Sequence, residues 1–268
     1  VPTYSFDEYA LRPALEGCTA AINLVGILNE RGHRGAGFQA AHVEVTQGFV
    51  AACAAAGVTR IVQMSALKAS AERGPSHYLR TKGLAEQAIM ASAERGLKWT
   101  IVRPSVIFGE DDSFINRFVT LLKLSPFLPL ARSDATLAPI HINDVALAFE
   151  RILEHDATAG ERLEICGPDN YTLREIVTLI RDAYGLRTAI LPLPTALGQL
   201  QAAACDYLIP GKPFSLDNFR SLSVSSTCSE DGLRALGIEP LRFETALAAI
   251  ARGDNERVLT LYRTIAGR

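Results

Sequence analysis

Tyr78 and Lys82 stand four residues apart in the segment Tyr78-Leu-Arg-Thr-Lys82. On a helix, positions i and i+4 share one face, so a phenol and an ammonium at this spacing reach a common ligand. A cation close to a phenol favours its ionised form, which suits Tyr78 to proton transfer with a carbonyl or alcohol oxygen. Lys82 at the same place suits a ribose hydroxyl. Ser65, at the end of the preceding apolar run Arg60–Met64, is expected to hydrogen-bond the same substrate oxygen. On spacing alone the pair also fits an ordinary helix-surface couple with the tyrosine half buried.

The elements around these residues set where they sit. Thr19–Leu24 is a short apolar run ending at Gly26, and Arg60–Met64 and Trp99–Val102 are two more, ending at Ser65 and at Arg103-Pro104. Such runs read as buried strands. Between them, Gln39–Ala56 and Tyr78–Glu94 read as helices ended by Gly57 and Gly96. Short strands alternating with helices predict an α/β, doubly wound parallel sheet. Right-handed crossovers then bring every strand's C-terminal end to one rim, so Gly26, Ser65 and Pro104 converge on one crevice.

Upstream, Asp7–Leu15 reads as a helix. Downstream, Phe114–Leu124 and Asp144–Leu153 read as helices, Leu163–Cys166 as a strand, and Thr172 with Glu175 as a capping box opening a helix to Tyr184. Residues 186–222 read as a loop-rich lobe around one helix, and Glu244–Ile265 as a terminal helix. Asp144 is expected to act as a first-turn carboxylate or cap. The predicted division is a nucleotide-binding domain over 1–155 and a smaller C-terminal lobe over 156–268, interleaved with the first. The apolar stretches Leu121–Leu130 and Leu191–Leu208 either line a greasy pocket or pack that lobe.

Composition limits the alternatives. The chain has 268 residues, 48% of them hydrophobic, with 27 Lys plus Arg against 29 Asp plus Glu and a formal net charge of -2. This balance argues against a nucleic-acid partner. The five cysteines are dispersed and form no CxxC pair, which predicts buried thiols in a reducing compartment rather than a disulfide framework. No apolar run has the length of a transmembrane span, and His33, His42, His77 and His155 are scattered with no trio at metal-ligand spacing. The glycines at 32, 35 and 37 do not join a strand to a helix as a phosphate cradle requires, and no other glycine-rich phosphate turn is present.

Taken together, several segments resemble the extended and atypical short-chain dehydrogenase/reductases. They are Ala21-Ile-Asn-Leu-Val-Gly-Ile-Leu28, Gly57-Val-Thr-Arg-Ile-Val-Gln-Met-Ser-Ala-Leu67, Tyr78-Leu-Arg-Thr-Lys82 with Glu86, Trp99-Thr-Ile-Val-Arg-Pro-Ser-Val-Ile-Phe-Gly109 and Pro139-Ile-His-Ile-Asn-Asp-Val145. The similarity is greatest to the group containing the nucleotide-binding accessory subunit of mitochondrial complex I. The resemblance implies a Rossmann-like fold binding NADP or NAD, with Ser65, Tyr78 and Lys82 as the catalytic set. It also implies that Gly26 lies along the cofactor's phosphate-ribose portion, with Pro104 and Ser105 beside the nicotinamide. It places His141, Asn143 and Asp144 where the second lobe packs on the first, and Tyr4 and Ser5 near the adenine. The first two strands and the glycine-rich turn are expected upstream of Val1.

Two functions follow from the resemblance. One is a non-catalytic nucleotide-binding module, cytoplasmic and peripheral to a membrane-complex partner. The other is an NAD(P)-dependent reductase or sugar-nucleotide epimerase/dehydratase-like enzyme acting on a small or lipid-like substrate.

Overall fold

The computed structural model describes residue 6 and residues 8–265, with side chains as far as Asp254. Tyr4, Ser5 and Asp7 lie outside the described residues, and the first helix runs Glu8–Leu15.

Four parallel strands form the main sheet, in chain order β1 (Ala20–Asn23), β2 (Arg60–Met64), β3 (Lys98–Pro104) and β4 (Glu161–Ile165). The register sets Ile22 beside Val62, Val62 beside Thr100, and Val102 beside Leu163. Side chains alternate across a strand, so each strand feeds two cores. Ile61 and Ile101 face Phe49, Val50 and Cys53 of the helix Val45–Ala56 and Ile89 of the helix His77–Ala91. Val62, Val102 and Ile165 face Val145, Phe149 and Ile152 of the helix Ile142–Glu154 on the other side. A parallel sheet whose strands are apolar on both faces needs cover on both; β2 and β3 have it, whereas Ile22 of β1 is 39% exposed. The fold is therefore the expected Rossmann-like α/β arrangement with a smaller C-terminal α/β lobe.

The lobe has its own core. Ile115 and Val119 from the helix Ser113–Leu124, Ile176 and Ile180 from Leu173–Ala183, and Phe243 and Leu247 from Phe243–Ile265 pack together there. A two-stranded parallel pair, Phe127–Leu130 with Ala189–Pro192, lies against it. The lobes interleave in sequence: Ser113–Leu124 belongs to the small one, whereas β4 returns to the main sheet. The Thr172–Glu175 capping box forms as expected. The cap of Ile142–Glu154 is His141, which accepts from Asn143 N–H. Asp144 occupies the first turn and accepts from Leu241 N–H (2.9 Å) instead.

Other expectations need correction. Residues 186–222 hold two helices, Thr195–Leu208 and Leu216–Ser221, besides the strand at 189–192. The helix expected from Gln39 begins at Ala36 and passes through a π-helical turn, Gln39–Glu44, before Val45. The thiols are not all free either. Cys166, just past β4, is disulfide-bonded to Cys228, while Cys18, Cys53 and Cys205 remain free. Sequence separation hid that pair, because only the fold brings the 228 loop back to the end of β4. Among the described residues no helix is long and apolar enough to cross a membrane, and no metal-ligating cluster occurs.

Candidate functional site

The site begins where β1 stops. Asn23 is buried and turns the chain by accepting from Val25 N–H (3.0 Å), while its amide donates to Gln63 Oε1 (3.0 Å) and Thr46 Oγ1 (3.2 Å). This asparagine turn delivers Gly26 to the rim, exposed. A β-carbon there would lie 2.9 Å from Lys82 Nζ, so glycine leaves open the space directly over the ammonium.

Lys82 lies one turn into its helix and is 3% exposed. Its ammonium donates to Val25 O at the end of β1 and to Met64 O at the end of β2, both at 3.2 Å. An ammonium has three hydrogens, so one remains for a ligand. Burial lowers its pKa to about 8, opposed by the nearby Glu86 carboxylate.

Tyr78 is on the same helix face, partly exposed, and its hydroxyl has no hydrogen-bond partner among the described residues. Burial of the phenol pushes its pKa up to about 12. The expectation that Lys82 promotes the phenolate is thus corrected for the free protein. The ammonium is held between two carbonyls, and desolvation decides the phenol's state.

His42 completes this group, although nothing in its spacing singles it out from the scattered histidines. The π-helical turn places it in the site, where its ring meets Tyr78 edge-on at 5.5 Å. Ile27 N–H donates to Nε2 (3.1 Å), so the hydrogen resides on Nδ1, which donates to Thr81 Oγ1 (2.8 Å); Thr81 donates to His77 O (2.8 Å). Burial, and then the Lys82 charge, lower the His42 pKa to about 3, so the ring is neutral. Neutral His42 therefore fastens the Gly26–Ile27 loop to the Tyr78 helix.

Ser65 and Ser105 stand at the same rim with their hydroxyls engaged. Ser65 Oγ donates to Glu86 Oε1 (2.5 Å), and Arg103 clamps that carboxylate through Nε (2.8 Å) and Nη2 (2.5 Å). Tyr78, Lys82 and Glu86 follow an i, i+4, i+8 series, so this buried ion pair underpins the other two. Ser105 Oγ donates to Ser226 O (2.7 Å), pinning the loop that carries Cys228. Pro104 is buried, and its carbonyl accepts from Leu67 N–H (3.1 Å).

The second lobe finishes the helix start. Asp217 accepts from His77 N–H (2.7 Å) and Tyr78 N–H (3.0 Å), and Ser76 caps Leu79 N–H (3.1 Å). Beside it is a cavity of about 80 Å³ bounded by Glu30, His33, Phe38, His77, Tyr207 and Arg220, among others. The glycine-rich loop at 32–37 has its donors taken, because Glu30 accepts from Gly35 N–H (2.6 Å) and Gly37 N–H (2.7 Å).

An open glycine, a buried lysine with a spare hydrogen and an unpartnered tyrosine hydroxyl at the C-terminal rim of a parallel sheet fit a dinucleotide's ribose and nicotinamide end. The family model described as NAD(P)H-binding matches residues 5–146, and the chain belongs to that family. It is an NAD(P)-binding protein of the epimerase/dehydratase-like fold, related also to complex I accessory subunits.

Among curated proteins, the chain is similar to NADH dehydrogenase [ubiquinone] 1 alpha subcomplex subunit 9, mitochondrial, of Arabidopsis thaliana. The two are 28% identical over 239 residues, covering 85% of this chain and 58% of that protein. It is also similar to the ceramide reductase of Caulobacter vibrioides, 27% identical over 69% of this chain and 56% of that one. The chain thus spans little more than half the length of either relative. Among solved structures, MoeE5 in complex with UDP-glucose and NAD matches with a TM-score of 0.71 and 18% identity, covering 94% of this chain and 85% of that one.

Proposed function

We propose that this chain carries the reacting site of an NAD(P)(H)-dependent oxidoreductase that reduces a carbonyl group. In this reading Tyr78 is the proton donor and Lys82 the holder of the cofactor's ribose. The observation that carries it is an unpartnered Tyr78 hydroxyl one helical turn from Lys82, whose ammonium has one hydrogen to spare and lies opposite Gly26. When bound, the nicotinamide would supply the hydride. Tyr78 Oη gives its proton to the carbonyl oxygen as the alcohol forms, and the phenolate regains a proton from solvent. With a pKa of about 12 the phenol is fully protonated at neutral pH, the state a proton donor needs. The likeness to a ceramide reductase suggests a lipid-like carbonyl as substrate.

A second reading is a nucleotide-retaining accessory module. It is supported by the hydroxyls of Ser65 and Ser105, both expected at the ligand, being committed to Glu86 and Ser226.

The test is oxidation of NADPH and NADH across a panel of lipid ketones and nucleotide-linked keto sugars, with the released nucleotide identified by mass. Tyr78→Phe should cut turnover by about 10²–10⁴-fold while leaving nucleotide binding intact. Lys82→Met should raise the KM for the nucleotide. Wild-type turnover that survives Tyr78→Phe refutes the proton-donor role, and a retained nucleotide with no turnover on the whole panel supports the module.

A further inference from the structure

The helix Thr195–Leu208 is amphipathic the wrong way round for a surface helix. Its inner face carries Gly198, Ala202 and Asp206, all buried against the lobe, where Ala202 packs with Ala131 and Phe219. Leu197, Leu200, Tyr207 and Leu208 occupy the outward face, with Leu200 65% and Leu208 78% exposed. At about 100° per residue these four span roughly one quarter of the helix circumference. A solvated helix puts charge on that side.

The neighbouring strand pair extends the surface. Phe127 pairs with Ala189 and Leu191 with Pro129, and Phe127 and Leu191 are both about half exposed. Residues 188–211 contain one charged side chain, Asp206, which is buried and ion-paired to Lys212 (2.9 Å). Soluble monomers rarely expose a contiguous apolar patch beyond a few hundred Å².

Charge at the margin identifies the occupant. Lys123 and Arg187 are exposed beside the Phe127–Ala189 pair, and Arg220 is exposed near the other end; none has an ion pair among the described residues. The acids nearby are satisfied within the lobe, Asp206 by Lys212 and Asp182 by Arg181 (2.7 Å). A helix with no charge on its outward face and with cations free of ion pairs at its margin matches an interfacial element resting on an anionic bilayer. No described helix is built to span one.

We propose that the face formed by Thr195–Leu208 and the strands at 127–130 and 189–192 is a peripheral docking surface for an anionic lipid bilayer. Tyr207 is shared by this face and the cavity beside the Tyr78 helix, so docking holds the site's mouth at the headgroup level. The inference is independent of whether Tyr78 turns a substrate over.

The full chain should cosediment with phosphatidylcholine vesicles containing phosphatidylglycerol, and less with phosphatidylcholine alone. Leu200→Glu with Leu208→Glu should weaken that partition by about tenfold or more, and Arg187→Glu should weaken it only for the anionic vesicles. Both leucines are mostly exposed, so the circular dichroism spectrum and melting temperature should not change. Independently of any variant, hydrogen exchange on the wild type should show protection of residues 195–211 when vesicles are added. Failure to bind either vesicle overturns the proposal. So do binding undiminished by the double substitution, unprotected exchange over 195–211, and a dimer in sedimentation velocity that the double substitution breaks without vesicle binding.

Discussion

Raising the pH should stabilise this protein through Lys82. In the unfolded chain the ammonium titrates near its ordinary 10.5; in the folded chain burial brings it to about 8, despite the opposing Glu86 charge. Between those values the unfolded state still holds a proton that the folded state has released. Stability rises with pH wherever the unfolded state binds more protons. Each pH unit of that window is worth about 1.4 kcal/mol, so the whole of it amounts to about 3 kcal/mol. Lys82→Met keeps the stem's volume and cannot titrate. Urea unfolding of both proteins at pH 7 and at pH 10.5 should therefore show the wild type gaining about 3 kcal/mol relative to the variant. Nucleotide affinity should move the other way in the wild type, falling as the ammonium loses its charge above about pH 8. A stability difference that stays flat or falls across the window would refute the buried, two-carbonyl placement of Lys82.

Two further outcomes test the support around the site. Glu86→Gln leaves the Arg103 guanidinium without its counter-charge and weakens the hold on Ser65, and should cost about 2–4 kcal/mol in denaturant unfolding, discounted for the partial exposure of Arg103. Nucleotide affinity should fall as well, since Lys82 loses the charge that raises its pKa; unchanged stability would dismiss the pair as support. Cys166→Ser opens a covalent loop with a sequence separation of 62. The chain-entropy cost of that loop is about 4 kcal/mol, so the variant should unfold at lower urea concentration, and dithiothreitol should shift the wild type but not the variant. Equal midpoints with and without reductant would contradict this.

The fold was legible because its strands carry apolar runs with clear ends. Arg60–Met64 coincides in sequence and structure, and Thr19–Leu24 needed only trimming to Ala20–Asn23. The shared helix of Tyr78 and Lys82 was legible for the same reason, since i, i+4 spacing is local. What escaped depends on long-range contacts. His42 becomes informative only after a π-helical turn aims it at Tyr78, and Arg103 finds Glu86 only when β3 lies beside the helix. The engaged hydroxyls of Ser65 and Ser105 were equally hidden, because residue type shows what a side chain can bond to and not what reaches it first.

Asp217 has a consequence for how the site comes into being. The two residues proposed to do chemistry are four apart, yet the carboxylate closing the first turn of their helix is 140 positions downstream of His77. Contacts of that span form against a large loop-closure entropy and tend to come late in folding. Local sequence can wind this helix early, but its leading N–H groups then stay open to water. The tyrosine reaches its working position when the last third of the chain docks. Competence at this rim is therefore an assembly step within a single polypeptide, timed by the arrival of Asp217.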